Sequence, residues 1–382
     1  MSGQMAEQVD VAVIGGGVAG LSAAWFLAEA GREVTVLEAG AAGRGVSWDA
    51  AGMLAPLHEL AYTELDLLHL GLYSRELYAD WEAVLGAEQI GLVRRGALEV
   101  GLSPDDRPEL ERRYAFMQQQ GLKPQWLEGN DLQKLEPALA QRITTGIFAP
   151  EDAQVDNRAL VLALAENLRT RGIRFLEQHT VTSLTETNNI LKVSGNQTGQ
   201  EHTFELNAQQ VVVANGLGVA DVLVQNLLTS PHKLYPIKGQ MASLEPLPAY
   251  TLPQTVVRIR SRVLGDGYVV PKANRLVVGA TAEEKGRDRN VTAGGLLDIL
   301  RRAYAAVPGL YELPIQETWA GLRPSTLDRQ PFLLGSLRHK VLHLNGLYRH
   351  GILLAPALGQ AAAQWAQGSP ILQQVRPFYH PA

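Results

Sequence analysis

The sequence contains no cysteine among its 382 residues. A disulfide scaffold, a zinc or iron–sulfur site with cysteine ligands, a catalytic thiol and a cysteine-linked cofactor are therefore excluded. Charged residues are also scarce, at 19% against about 25% in an average soluble domain. The 34 Lys and Arg residues against 39 Asp and Glu residues leave a net charge of −5. This mild acidity without a long basic run argues against a dedicated nucleic-acid-binding protein, and no His pair has metal-ligand spacing, so no metal site is predicted.

The N-terminus has neither a basic region nor an apolar run before Val11, which argues against a secretory signal. We expect its first eight residues to form a loose tail. Residues 351–375 carry no charge and are long enough to span a bilayer. Pro356 and several Gly and Gln residues interrupt this run, however, which favours a buried helix followed by a turn. We therefore expect a cytoplasmic protein with no membrane partner.

The first forty residues predict a βαβ unit. The apolar run from Asp10 to Ile14 predicts a buried parallel strand. Apolar residues at helical spacing between Ala19 and Ala30 predict a helix, with Gly31 at its C-terminal cap. Residues 34–37 predict a second strand, and the acidic Glu38 follows it directly.

The turn between strand and helix carries the dinucleotide fingerprint, with Gly15, Gly17 and Gly20 in the pattern G-x-G-x-x-G. These glycines allow a tight turn, a close approach to a pyrophosphate and close helix–strand packing. The pyrophosphate then lies at a helix N-terminus, where N–H groups and the helix dipole favour negative charge. An acid at position 38 suits a ribose hydroxyl, so we predict dinucleotide binding, with FAD and NAD still both open. A second glycine pair, Gly216 and Gly218, is a weaker candidate because Asp221 takes the third position.

The rest of the chain predicts a second, sheet-rich domain inserted into the dinucleotide fold. Two amphipathic segments, 157–171 and 292–307, predict helices; their apolar stripes are Leu160, Val161, Leu164, Ala165 and Leu168 in the first, and Leu296, Leu297, Leu300 and Tyr304 in the second. Strands are predicted at 94–102, 173–177, 209–214, 235–244, 256–264, 267–271, 275–281 and 340–345. We predict a mixed α/β fold (α+β overall), with a Rossmann-like domain and a substrate domain built on an antiparallel sheet.

Several segments resemble the D-amino-acid oxidase family of flavoproteins. Gly43-Arg-Gly-Val-Ser47 and Ala50-Ala-Gly-Met-Leu54 resemble the family's flavin-contacting segment. Four later segments resemble, in order and spacing, the glycine oxidases, which are the thiamine-pathway branch of this family: Pro236-Ile-Lys-Gly-Gln240, Leu276-Val-Val-Gly-Ala-Thr281, Trp319-Ala-Gly-Leu-Arg-Pro324 and Arg349-His-Gly-Ile-Leu-Leu-Ala-Pro356. The resemblance extends from about Val9 to Ala363.

This resemblance implies a discontinuous FAD-binding domain, residues 1–86, 152–228 and 315–382, and a substrate-binding domain, residues 87–151 and 229–314. It implies oxidative deamination of glycine and small primary or secondary amines (sarcosine, N-substituted glycines, small D-amino acids). A hydride passes from the substrate Cα to flavin N5, the imine is hydrolysed to an oxo acid and ammonia or an amine, and dioxygen is reduced to hydrogen peroxide. The flavin supplies the reactivity, so no catalytic side chain is assigned with certainty.

The resemblance also implies the substrate-binding residues. Arg323 matches the arginine that binds the substrate carboxylate, a role that suits its bidentate geometry; the alternative is a structural Arg paired with Asp328. Tyr268 matches the tyrosine that hydrogen-bonds the same carboxylate; the alternative is an ordinary, half-buried aromatic residue of a strand. Arg349 matches a second arginine that lies near both substrate and flavin; the alternative is an Arg that pairs with a phosphate or a helix dipole. Met53 is assigned to the same pocket.

A larger set of residues is implied for FAD. We expect the helix that begins near Gly351 to present its positive end to negative charge developing at flavin N1/O2. Val181 is assigned a backbone contact to adenine, with an ordinary strand valine as the alternative. The full set is Gly15, Gly17, Val18, Ala19, Gly20, Glu38, Ala39, Val46, Ser47, Ala51, Gly52, Met53, Val181, Leu347, Tyr348, Arg349, His350, Gly351, Ile352 and Leu353.

Two positions depart from the family pattern. Ala282 stands where a pocket-lining Met is usual, and Asp266 stands where His can occur. Both changes predict a roomier or differently polar pocket that accepts sarcosine and N-substituted glycines beside glycine.

Two other functions stay open at this stage: an amino-acid dehydrogenase that passes electrons to a quinone, and a non-catalytic flavin-binding scaffold. The related monomeric sarcosine oxidases attach their flavin through a cysteine, a bond that cannot form here, so we expect non-covalent FAD. We expect a small amine and dioxygen as the partners of the protein. The family resemblance also implies a homo-oligomer, namely a tetramer.

Overall fold

The computed structural model of the protein describes residues 7–59, 62–199, 203–225 and 233–382. In chain order its strands are β1 (Glu7–Ile14), β2 (Val34–Leu37), β3 (Met53–Leu54), β4 (Ala97–Gly101), β5 (Gln125–Glu128), β6 (Thr145–Ala149), β7 (Ala153–Gln154), β8 (Arg174–Leu176), β9 (His179–Thr187), β10 (Ile190–Gln197), β11 (Thr203–Val213), β12 (Leu223–Gln225), β13 (Tyr235–Leu244), β14 (Val256–Arg260), β15 (Gly267–Pro271), β16 (Leu276–Gly279), β17 (Ile315–Ser325), β18 (Phe332–Ser336), β19 (Val341–Asn345) and β20 (Tyr379–Pro381). The helices are α1 (Val18–Glu29), α2 (Pro56–Glu59), α3 (Leu65–Glu76), α4 (Tyr78–Leu85), α5 (Arg107–Gln119), α6 (Gly129–Leu135), α7 (Asn157–Thr170), α8 (Ala293–Ala306) and α9 (Gly351–Ala366).

The predicted βαβ unit is present at the centre of the first sheet. Strands β8, β2, β1, β11 and β19 lie side by side and are all parallel. Strand β1 begins at Glu7 and not after residue 8, because its first residues pair with Leu206 and its neighbours in β11. Residues 1–6 of the predicted tail lie outside the described residues. The parallel order and the buried helix α1 confirm the Rossmann-like fold.

The second sheet has the strand order β17-β13-β16-β15-β14-β4-β6-β5. All of its neighbours are antiparallel except β14 and β4, which are parallel. The strand predicted at 256–264 ends at Arg260, because the following residues form a turn closed by the Gly265 N–H to the Ser261 carbonyl (2.9 Å). Strand β17 pairs along its length with β13, so residues 315–325 belong to this sheet although the sequence-based division groups them with the FAD-binding segments.

Helices α7 and α8 occupy the two segments predicted from their apolar spacing. The predicted stripe of α7 is fully buried. The stripe of α8 is partly wrong: Leu297 is 65% and Tyr304 is 45% exposed, while Ile299 and Ala303 face the core. The fully buried residues of α8 are Ile299, Ala303, Ala305 and Ala306, and the predicted Leu296 and Leu300 pack partly buried beside them.

The uncharged run near the C-terminus forms helix α9, buried against α1. Gly359 allows this contact, since a Cβ there would lie 2.2 Å from Ser22 Oγ. The Ser22 hydroxyl in turn donates to the Ala355 carbonyl at 2.7 Å. Within the described ranges, no helix is both long and apolar enough to cross a membrane. The absence of charge in residues 351–375 is explained by the packing of α9 in the core. Each fully buried large apolar side chain there contributes about 1.5–3 kcal/mol to the free energy of unfolding.

Candidate functional site

One cavity of about 980 Å³ lies where the two sheets meet. The carboxyl ends of the parallel strands line one end, and strands β13, β14, β15 and β17 of the second sheet line the other. Ligands of open parallel sheets bind at the carboxyl ends of the strands, where the chain crosses to opposite faces of the sheet. The cavity is large enough for an extended cofactor and a small second molecule.

The glycine turn after β1 forms a cradle that only glycine allows. Gly15 has φ +108°, and a Cβ there would lie 2.6 Å from the Ala214 carbonyl. A Cβ at Gly20 would lie 1.8 Å from the Gly15 carbonyl, so Gly20 serves helix–strand packing and does not line the cavity. Helix α1 has no acid in its first turn and no side-chain cap on Gly17. Its N-terminus therefore suits a phosphate.

Glu38 closes the same end of the cavity. Its carboxylate accepts from the Gly16 N–H at 2.7 Å and from the Gly40 N–H at 2.9 Å. These two bonds fix the side chain beside the glycine turn and leave carboxylate lone pairs for a ribose hydroxyl. Val181, on β9, lines the cavity at the same end.

Residues 39–53, the segment after Glu38, line the cavity and are held in place by hydrogen bonds. Ser47 Oγ accepts from the Val18 N–H at 3.0 Å, and Asn157 Nδ2 donates to the Ser47 carbonyl at 2.9 Å. Gly52 has φ +76°, and a Cβ there would lie 2.1 Å from the Val155 carbonyl. Further predicted cofactor residues on this segment line the cavity: Ala39, Val46, Ala51 and Met53.

The start of helix α9 forms another wall. Leu347, Tyr348, Arg349, Gly351 and Ile352 all line the cavity. The predicted residues His350 and Leu353 are not lining residues; both side chains are at most 3% exposed.

His350 is held neutral beside the cavity wall. Burial lowers the pKa of its imidazole to about 4, and the nearby Arg349 guanidinium adds to this shift. The Arg349 Nε–H donates to His350 Nε2 at 3.4 Å.

At the opposite end, Arg323 and Tyr268 come together. Arg323 Nη1 donates to the Thr281 carbonyl at 3.1 Å, while Asp328, its alternative partner, accepts from the Gln330 N–H. The Tyr268 hydroxyl lies 3.6 Å from Met241 Sδ, a weak acceptor that leaves it able to donate to a ligand. Burial raises the pKa of Tyr268 above its ordinary value despite the opposing charge of Arg323, so the hydroxyl keeps its proton.

No motif or spacing in the sequence singles out Glu59 and Arg258, which lie beside these residues. Both line the cavity and are about 5% exposed, and Arg258 Nη1 lies 3.2 Å from Glu59 Oε1. The Glu59 carbonyl accepts from Arg349 Nη2 at 2.6 Å. Burial alone would raise the pKa of Glu59, but the guanidinium groups of Arg258 and Arg349 outweigh it and lower the pKa, so Glu59 is ionised.

Asp49 is a second cavity residue without a sequence signal. Its carboxylate accepts from Arg289 Nη2 at 2.7 Å, and burial raises its pKa to about 6 against the attraction of Arg289 and Arg158. Two contacts from distant parts of the chain hold it there: Arg289, on the loop before α8, and Trp319, whose Nε1–H donates to the Asp49 carbonyl at 3.0 Å.

The two departures from the family pattern lie in different surroundings. Ala282 is exposed on the cavity wall. Asp266 also lines the cavity, but its carboxylate is engaged by Arg260. The second glycine pair, at 216 and 218, begins a short 3₁₀ turn on the wall of this same cavity, where the Gly216 N–H donates to Asn345 Oδ1 at 2.9 Å.

Comparison with known proteins gives consistent matches over nearly the whole chain. A family model described as DAO, FAD dependent oxidoreductase, matches residues 10–365. Glycine oxidase of Geobacillus kaustophilus (strain HTA426) is 32% identical over 383 residues, which cover 98% of this chain and 97% of that protein. The bifunctional protein ThiO/ThiG of a Nostoc species is 34% identical over 358 residues, which cover 91% of this chain and 51% of that protein. The crystal structure of glycine oxidase from Geobacillus kaustophilus superposes with a TM-score of 0.86 at 30% identity and covers 98% of both chains.

Proposed function

Because this chain belongs to the DAO family of FAD-dependent oxidoreductases, we propose that it oxidises glycine and other small primary and secondary amines. FAD is the cofactor of the family, and a bond to it through cysteine is impossible in a chain that has none. The glycine cradle, the α1 N-terminus and Glu38 fit its pyrophosphate and ribose. A single observation carries the proposal: Arg323 and Tyr268 converge at the far end of the cavity that this cradle opens.

In this proposal, Arg323 binds the substrate carboxylate through two parallel N–H donors, because a charged fork suits a planar carboxylate. Tyr268 donates a further hydrogen bond from its protonated hydroxyl. These contacts hold the substrate Cα in one place, and placing the reacting atoms is a large part of the rate gain in such reactions. The residues resemble those of the glycine oxidases, and the proposed substrates are glycine, sarcosine, N-substituted glycines and small D-amino acids.

When bound, FAD would supply the redox chemistry: flavin N5 accepts a hydride from the substrate Cα, and dioxygen takes up the electrons and becomes hydrogen peroxide. The chain's own contribution is to orient the substrate, to exclude water and to place positive charge. Arg349 and the N-terminus of α9 supply that charge at the cavity wall. The imine product is hydrolysed to an oxo acid and ammonia, or an amine where the nitrogen is substituted.

Thiamine biosynthesis is the proposed pathway, because the four motif segments resemble its oxidase branch and a relative bears the name ThiO/ThiG. A homo-oligomer and a cytoplasmic location remain predictions from the sequence.

A peroxide-coupled screen of glycine, sarcosine, N-ethylglycine and small D-amino acids tests the proposal. We expect hydrogen peroxide to form in step with substrate loss when dioxygen is the only acceptor. Turnover that needs an added quinone and gives no peroxide would make the protein a dehydrogenase. No flavin reduction by any amine under anaerobic conditions would favour the scaffold.

A further inference from the structure

Two of the four motif segments have no role in the function proposed above. Residues 236–240 lie in β13, and residues 276–281 comprise β16 and the two residues after it. Thr281, the last residue of the second segment, lines the cavity together with Arg323. Its carbonyl accepts from Arg323 Nη1 at 3.1 Å. The Thr281 carbonyl therefore helps to set the direction of the guanidinium group that takes the substrate carboxylate in the proposed function.

The side chain of Thr281 makes shorter hydrogen bonds than its backbone N–H does. The Thr281 N–H lies 3.3 Å from the Gln240 carbonyl. The Thr281 hydroxyl accepts from the Gln240 N–H at 2.9 Å and donates to Glu283 Oε1 at 2.5 Å. Glu283 is itself paired with Lys238 of β13 through two backbone hydrogen bonds of 2.9 Å. Thr281 is therefore held between Gln240 and Glu283.

The side chain of Gln240 is fully buried and joins Glu283 to the start of α8. Its Nε2 donates to Glu283 Oε1 at 2.8 Å and to Thr292 Oγ1 at 3.1 Å. Its Oε1 accepts from the Thr292 N–H at 2.7 Å. A carboxylate only accepts and an N–H only donates, so these partners allow the amide group one orientation. Because Thr292 is the N-cap of α8, Gln240 connects Glu283 to a helix as well as to β13.

Glu283 is ionised in this arrangement. Burial alone would raise the pKa of its carboxyl group, but hydrogen bonds from Thr281 and Gln240 and the charge of Lys238 bring the pKa below its ordinary value. Hydrogen bonds to an ionised acceptor are stronger than those to a neutral one. Neither Glu283 nor Gln240 is a lining residue of the cavity, so any effect they have on a ligand passes through Thr281.

We infer that Gln240 and Glu283 position the Arg323 guanidinium for the substrate carboxylate by holding the Thr281 carbonyl in place. This role rests on the proposed function, because it takes Arg323 to bind that carboxylate. Gln240 and Glu283 are positioning residues and do not touch the ligand. Segments 236–240 and 276–281 then share one purpose, which is to orient an arginine of a third motif segment.

The test uses two ligands of the holoenzyme that share a carboxylate: glycine as the substrate and acetate as a competitive inhibitor. Gln240→Met removes the amide group and keeps an unbranched side chain of similar length. We expect the KM for glycine and the inhibition constant of acetate to rise together about 10-fold, because the charged contact to the carboxylate is weakened. The kcat should change less than about 3-fold, since this contact is present in the ground state and in the transition state.

The dissociation constant of FAD gives a readout that does not depend on turnover. Titration of the apoprotein with FAD, followed by flavin fluorescence, should give a constant within about 2-fold of the wild-type value, because neither substitution touches the glycine turn or Glu38.

Glu283→Ala breaks the same connection at a less buried position, and it serves as the test if Gln240→Met does not fold. It should raise the glycine and acetate constants in the same way. The double variant should lose at most about 2-fold more than the weaker-binding single variant, because both changes release the same Thr281 carbonyl. Glu284→Ala, at an exposed neighbouring acid, should behave like the wild type.

A purely structural role would give a different pattern, for which Glu136→Met is the matched control. Glu136 is a fully buried carboxylate away from the cavity wall that accepts from the Thr255 N–H and hydroxyl. Its loss should lower the melting temperature and leave the glycine and acetate constants within about 2-fold of wild type.

That same pattern in Gln240→Met or in Glu283→Ala would overturn the inference. So would a loss of FAD affinity in step with acetate affinity, or fully additive losses in the double variant. Failure of the proposed function is distinguishable, because the wild-type enzyme would then oxidise no amine in the first place.

Discussion

Arg323 occupies the space that a side chain at Gly239 would fill. An ideal Cβ on Gly239 would lie 2.2 Å from Arg323 Nη2 and 2.5 Å from its Cζ. The two residues lie on the adjacent strands β13 and β17, where Arg323 is the direct partner of Ile237. The missing side chain two residues further along β13 lets the guanidinium lie flat across the sheet and reach the cavity.

The first prediction follows from this contact. Gly239→Ala should displace the Arg323 guanidinium, because backbone atoms of a central strand cannot move to relieve the overlap. We expect the KM for glycine to rise at least about 10-fold with FAD content unchanged. Steady-state kinetics and the flavin-to-protein absorbance ratio measure this. Gly294→Ala is the control, since a Cβ there meets nothing within 4 Å; equal kinetics in the two variants would contradict the prediction.

The second prediction concerns Arg323 itself. Arg323→Ala should lower kcat/KM for glycine about 100-fold or more, because it removes a charged bidentate contact. Arg323→Lys should recover only part of the loss, since an ammonium group lacks the planar fork. The exposed Arg338→Ala serves as the comparison. A decrease of less than about 3-fold in Arg323→Ala would show that Arg323 does not bind the carboxylate.

The third prediction addresses cofactor binding. Glu38→Ala should weaken FAD binding about 10-fold, because the carboxylate orders the Gly16 and Gly40 N–H groups and offers an acceptor to the ribose. Titration of the apoprotein with FAD, followed by flavin fluorescence, measures the dissociation constant. Glu33→Ala, an exposed acid just before β2, should bind FAD like the wild type. An unchanged constant in Glu38→Ala would exclude this role.

The fourth prediction tests pocket breadth. Ala282→Met should narrow the cavity wall and lower the rate on N-ethylglycine relative to glycine at least about 5-fold. Ala293→Met, at the exposed start of α8, should leave that ratio unchanged. Relative kcat/KM values across glycine, sarcosine and N-ethylglycine provide the measurement. If the wild-type enzyme oxidised glycine but neither sarcosine nor N-ethylglycine, the prediction of a broad pocket would be wrong.

The fifth prediction concerns pH and stability. Burial raises the pKa of Asp152 from 3.8 to about 7, against the opposing charges of His58 and Arg75. The folded state therefore holds this proton more tightly than the unfolded state. The resulting stability is fully present below about pH 4 and is lost as the pH rises to about 7.

Asp152→Asn removes this titration, so its free energy of unfolding relative to wild type should improve by about 1 kcal/mol or more between pH 5 and pH 8. Chemical unfolding at both pH values measures the difference. Asp131→Asn, on an exposed Asp, should show no such change. A constant difference between Asp152→Asn and wild type would contradict the raised pKa.

Local patterns were sufficient for much of the fold. The strand, glycine turn and helix around residues 10–37 follow from short-range spacing, and so do helix α7 and most strands of the second sheet. The stripe of α8 was predicted with errors because its buried face is made of Ile299 and small alanines. Apolar spacing alone does not distinguish these residues from the exposed Leu297 and Tyr304 on the same helix.

Short-range sequence patterns were enough to predict the nucleotide end of the proposed site, since the glycines and Glu38 lie within 24 residues of one another and their predicted roles depend on local backbone geometry. The other end depends on tertiary contacts. Glu59 and Arg258 are separated by about 200 residues in the chain, and neither has a neighbouring pattern that predicts its role. They became a charged pair on the cavity wall only because the fold places Arg258 Nη1 3.2 Å from Glu59 Oε1 and buries both side chains.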